Sequence, residues 1–117
     1  MKRGLVFVLI INAFIACSSG DNKIPKDILP VNKMKMIIWD LTQAGSYANY
    51  LKEKDTSSKH LNTMYMAEVL KMYNISKEDF FKSFKFYQSD PLLNKVLFDS
   101  VSAYAQRQRA EMYKMHQ

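Results

Sequence analysis

A stop and a start for helix lie side by side at Asn74-Ile75-Ser76, and this junction limits the possible folds more than any other stretch of the chain. Asparagine is one of the few non-glycine residues that tolerate the left-handed conformation in which many helices end. Ser76 is a strong N-cap type, Asp79 follows three residues later as in a capping box, and Ile75 is placed to staple against Phe80. One helix must therefore end near Tyr73 and the next must open at Ser76. Asp90-Pro91 repeats the pattern, with a capping aspartate ahead of a proline suited to a first helical turn.

The segments around these junctions carry helical periods. Pro30 suits the start of a first helix, along which Met34, Ile37, Ile38, Leu41, Gly45, Ala48 and Leu51 fall on one face. Met36, Trp39, Tyr47 and Tyr50 widen that apolar surface. Gly45 costs about 1 kcal/mol relative to alanine inside a helix, so a close neighbour or a bend is expected there. Asp55-Thr56-Ser57-Ser58 reads as a connection, one of its serines able to cap a second helix from Lys59 to Tyr73 that buries Leu61, Tyr65, Met66, Val69, Leu70 and Tyr73. A short third helix places Phe80, Phe84 and Tyr87 on one side and Lys77, Lys82 and Lys85 on the other. Leu93, Leu97, Val101 and Tyr104 line the fourth, with order fading after Arg109. Strict alternation, Asn-Gly hairpins and internal repeats are all missing from the sequence. The expected fold is all-α, a small irregular bundle of about four helices.

The N-terminus follows different rules. Lys2 and Arg3 precede an apolar run from Leu5 to Ala16, shorter than the ~20 residues that span ~30 Å of hydrocarbon but suited to a cleaved export signal. Polarity switches at Cys17, the only cysteine, with small Ala16 before it and Ser18-Ser19-Gly20-Asp21 after it. Phe14-Ile15-Ala16-Cys17 resembles the lipobox of bacterial lipoproteins, with Phe14 where leucine is usual. That resemblance implies cleavage before Cys17 and a covalent lipid on its thiol; the alternative is an ordinary secretory signal with an incidental thiol. The expected organisation is a signal over 1–16, an acylated cysteine and flexible tether over 17–29, a helical domain over 30–109 and a tail over 110–117. Ser18 beside the cysteine favours the outer membrane by the sorting rule of enteric lipoproteins, with the domain facing the periplasm.

Removal of residues 1–16 leaves 101 of the 117 residues, enough for one core, and takes two of the 17 basic side chains against 11 acidic ones, for a net charge of +4. With no second cysteine, stability must come from packing. The mild basic balance suits lipid head groups or acidic partners, and an exported chain is a poor candidate for nucleic acid.

The middle of the chain resembles a known family. Tyr73-Asn74-Ile75-Ser76-Lys77-Glu78-Asp79-Phe80, then Ser83 and Phe86-Tyr87, preceded by Pro30, Met34, Ile37-Ile38 and Asp40, is similar to the uncharacterised Bacteroidota lipoproteins grouped as domain of unknown function 4296. The likeness runs from about Pro25 to Tyr104. Asn74 stands where the family usually has glycine, and Phe86 where it has the first tyrosine of a pair. The resemblance implies an exported lipoprotein with a small helical domain; the family has no assigned activity.

Candidates for chemistry are few. His60 and His116 lack a carboxylate or a second histidine at helical spacing, so no metal or cofactor is expected beyond the lipid on Cys17. No nucleophile elbow, phosphate loop or acid/base carboxylate pair is present. Asp40 is either a rim or capping carboxylate or one that orients a ligand. Ser83 and Tyr87, four residues apart, read as a small packing residue and a core tyrosine with a backbone partner, or as polar groups on a ligand. Five aromatic residues between Phe80 and Tyr87 cannot all face inward from one helix, so Phe81, Phe86 and Tyr87 form the candidate interaction surface. The expected function is a non-enzymatic, membrane-anchored interaction module that meets an envelope protein. The alternatives are a chaperone-like holder, which the eight methionines would suit, and an enzyme or small-ligand binder.

Overall fold

The computed structural model describes residues 24–54 and 60–117. The expected signal, Cys17, the first part of the tether, the connection at Asp55–Ser58 and the helix start at Lys59 lie outside those residues. Four helices follow in order: α1 Val31–Lys54, α2 Leu61–Met72, α3 Lys77–Ser89 and α4 Pro91–Met115. The described residues contain no strand.

Local chemistry accounts for the ends of these helices. The Pro30 carbonyl accepts from the amides of Lys33 and Met34, so proline sits just outside α1, where its missing N–H leaves nothing unpaired. At the end of α2, Asn74 has φ 55°. Its amide donates to Lys71 at 3.0 Å and that of Ile75 to Leu70 at 3.0 Å, the paired bonds of a Schellman turn. The Ser76 hydroxyl accepts from the Asp79 amide at 3.1 Å and opens α3. Asp90 alone joins α3 to α4, its carboxylate accepting from the amides of Leu92 and Leu93 while Pro91 takes the first position. α3, at 13 residues, is no shorter than α2 at 12.

α1 is the centre of the bundle and packs against α2 and α4, while α3 packs against α4. The core draws one or two side chains from every element: Met34 and Ile37 from α1, Leu70 from α2, Phe80 and Tyr87 from α3, Leu97 from α4. Its seventh member is Ile28, which precedes all four helices. The expected face of α1 holds, with Met34, Ile37 and Ala48 buried. Gly45 has no close neighbour to explain it: nothing lies within 4 Å of where its Cβ would be, and α1 continues through it as helix.

Two boundaries differ from the sequence reading. Residues 24–29, read as the end of the tether, are packed: Ile28 is buried, and Ile24 and Leu29 lie against the core. At the other end, α4 continues six residues past Arg109. Buried Ala105 and the Arg109 guanidinium, 5.5 Å from the ring of buried Trp39, hold that part of α4 on α1. Its last turns project into solvent as helix.

Candidate functional site

The side chains singled out by sequence fall into three separate arrangements. The first is a clamp. Ser83 and Tyr87 are both fully buried one turn apart on α3, and both turn toward the backbone of Leu29. The Leu29 amide donates to Ser83 Oγ at 2.9 Å, and the Tyr87 hydroxyl donates to the Leu29 carbonyl at 2.7 Å. One helix face thus satisfies both polar groups of a residue that belongs to no regular element. Leaving them unpaired in the core would cost about 1–3 kcal/mol each. Outside the clamp, Lys82 donates to the Asp27 carboxylate and holds it below the usual carboxylate range, while Asp27 raises Lys82 in return. Both side chains are exposed, so this ion pair adds register more than stability. Residues 24–29 are therefore a strap fastened along α3. Burial pushes the Tyr87 hydroxyl above the ordinary tyrosine range.

The second arrangement surrounds Asp40. Its carboxylate accepts from the Tyr73 hydroxyl, which joins the middle of α1 to the last residue before the turn at Asn74. Burial, and then this carboxylate, push Tyr73 above the ordinary tyrosine range, with Tyr104 of α4 adding to the effect. Asp40 is thus a carboxylate that fastens one helix to the end of another, close to the simpler of its two readings. Since folding raises the Tyr73 pKa, the stability this hydroxyl contributes is complete below about pH 10, its ordinary value, and is lost as the pH climbs above it. The melting temperature of the natural chain should fall more steeply above pH 10 than that of Tyr73→Phe; parallel declines would contradict the pairing.

The third is a row of aromatic rings. Phe81 meets Phe80 edge-on at 5.5 Å, Phe80 stacks on Phe84 at 6.0 Å, and Phe84 meets Phe98 of α4 edge-on at 6.5 Å. The two ends of the row, Phe81 and Phe98, are exposed. The expected interaction surface needs correction here. Tyr87 is wholly buried, because its hydroxyl is needed by the strap, and Phe86 is half-buried, edge-on to Tyr87 and packed on the core. Of that trio Phe81 alone is exposed.

Beside the start of α3 lies an open groove of about 440 Å³, floored by Met66, Leu70 and Ile75 and edged by Ala67, Lys71 and Lys77. Sequence reading missed it. Two of its floor residues, Leu70 and Ile75, bracket the Schellman turn, so an apolar residue on each side of Asn74 with a lysine in the last turn of one helix and the first turn of the next is the available signal. Among the described residues no three His, Cys, Asp or Glu side chains converge as metal ligands, and His60 and His116 are exposed. The described buried side chains leave one polar atom without a partner, Asn94 Oδ1, an amide oxygen with no acid–base chemistry.

Comparison with known proteins decides the family. The profile of the family described as Domain of unknown function (DUF4296) matches residues 25–111. The chain belongs to that family. No curated protein and no solved structure matches it. The DUF4296 match opens on Pro25, inside the strap, so the strap is part of the shared domain together with the four helices that it closes. The Phe-x-x-Ser and aromatic-tyrosine elements of this DUF4296 chain are the two jaws of the clamp, Ser83 and Tyr87.

Proposed function

We propose that this protein is a lipid-anchored periplasmic lipoprotein of the outer membrane, held through Cys17, whose helical domain is a non-enzymatic module that binds an envelope protein. The observation that carries the reading is the groove at the α2–α3 junction. It offers an apolar floor to a protein segment, while Lys71 and Lys77 at its edge suit acidic residues of the partner. A binding role is supported further by the use of Asp40, Ser83 and Tyr87 in hydrogen bonds that hold the fold together. The lipobox resemblance and the short apolar N-terminal run support the anchor, and no described helix is long and apolar enough to cross a membrane. Anchoring raises the effective concentration of the groove near partners in the same membrane.

A second reading, a holder of unfolded envelope clients, draws on the exposed methionines Met36, Met64, Met72, Met112 and Met115. In-cell photocrosslinking from a benzophenone residue at Ala67, on the edge of the groove, separates the two. One dominant envelope protein, lost when Lys71 and Lys77 are changed to glutamate, is the expected result. A broad set of immature outer-membrane proteins would favour the holder, and no capture by a folded chain would overturn both.

A further inference from the structure

The groove at the start of α3 has a neighbour. A second open depression, of about 320 Å³, lies between α1 and α2 and is lined by Leu41 and Gly45 of the first and Asn62 and Met66 of the second. Met66 also lines the groove, so the two hollows meet at its flexible thioether. Gly45 keeps the second one open. Glycine is a poor residue for the interior of a helix, and neither a positive φ nor a close neighbour requires one here, since nothing lies within 4 Å of where its Cβ would be. The space that a side chain at position 45 would take is left for a side chain from elsewhere.

The two hollows suit different groups. Lys71 and Lys77 at the edge of the groove are exposed, and neither is in an ion pair among the described residues; Lys77 stands 6.0 Å from the Phe81 ring. A carboxylate placed there meets two positive charges beside an apolar floor. The hollow at Gly45 has no charged residue in its lining, so it suits a bulky uncharged side chain, with the amides of Asn49 and Asn62 to meet a polar edge. Lys71 and Asn62 are nine residues apart on α2, about 14 Å along the helix, a distance that an extended segment covers in about four residues.

We infer that the two hollows form one recognition surface for an extended segment of the partner protein, which places a carboxylate at Lys71 and Lys77 and a bulky apolar side chain, about four residues away, over Gly45. The inference rests on the reading of the groove as a protein-binding site and adds what the partner segment must carry. An apolar floor alone would admit many segments; the two lysines and the missing Cβ choose among them.

The test is selection from a phage-displayed library of random dodecapeptides, with the full chain in detergent micelles as bait. Enriched peptides should pair Asp or Glu with Phe, Tyr, Trp, Leu or Met about four positions away. Binding of a synthetic copy of the strongest peptide is then measured by fluorescence anisotropy. Gly45→Leu, which fills the hollow from within, should weaken it about tenfold, and so should alanine in place of the peptide's bulky residue. The two changes together should weaken it no more than either alone, because both remove the same contact. Lys71→Glu with Lys77→Glu should abolish the preference for acidic peptides. Losses that add, or no loss with Gly45→Leu, while the lysine dependence persists, would overturn the inference and leave the groove reading in place. Peptides indifferent to the lysines, or no enrichment at all, would overturn both. Gly45→Leu should melt no lower than the parent, since leucine suits a helix and meets open space. A lower melting temperature would mean that the hollow is not open, and would overturn the inference as well.

Discussion

Joint replacement of the two jaws, Ser83→Ala with Tyr87→Phe, is expected to free residues 24–29 from α3 and to lower stability by about 2–4 kcal/mol. Each change alone strands one buried polar group of Leu29, at a cost of about 1–3 kcal/mol. The pair should cost less than the sum, because a strap that has already lifted takes both Leu29 groups into water, and two contacts on one segment do not act independently. Lifting also exposes Ile28, which is 7 % exposed in the fold, and so removes one of the seven members of the core cluster. Hydrogen exchange is the decisive measurement. The amides of Ile28 and Leu29 should lose protection by orders of magnitude, while those in the middle of α1 and α4 lose only the global loss in stability. Uniform loss across the chain would mean that the strap and the bundle unfold as one unit.

A larger effect is expected from Ile37→Ala. Ile37 is fully buried on α1, the helix that touches both α2 and α4, and lies in the cluster to which every element contributes. Removing its outer carbons should cost about 2–5 kcal/mol, through lost transfer energy and the cavity left behind. Small domains are stable by about 5–15 kcal/mol in total, so the variant would be close to the edge of folding. A lowered urea midpoint at unchanged slope is the signature. Met36→Ala, one position earlier but 37 % exposed, should stay within about 0.5 kcal/mol of the parent. Similar losses for the two would contradict the placement of the core.

The contrast between the legible and illegible parts of this chain is physical. The turn at Asn74 and the caps at Ser76 and Asp90 depend on atoms two to five residues apart, so residue types at fixed offsets disclose them. The apolar faces of α1, α3 and α4 follow from a period of 3.6 residues. The strap has no period and no backbone pattern of its own beyond one turn from Pro25 to Ile28. Its partners are 54 and 58 residues away, so Ile24, Ile28 and Leu29 read as scattered apolar residues in a polar stretch. Sequence reasoning found that Ser83 and Tyr87 share a face, and that Tyr87 needs a backbone acceptor, but not where the acceptor lies. The sequence groups Phe81, Phe86 and Tyr87 as one candidate surface, of which Phe81 alone is exposed. The choice depended on which side of α3 the strap and α4 cover, information that no single helix contains.

The long separation between Leu29 and its two jaws has a consequence in time. A chain that is made from its N-terminus presents Leu29 well before Ser83 and Tyr87 exist, so the strap is among the last pieces that can be set in place. While the later helices are still being made, the amide and carbonyl of Leu29 have water as their only partner. Completion of α3 supplies both replacements at once, so the segment that is made before all four helices is closed over the core after the third of them.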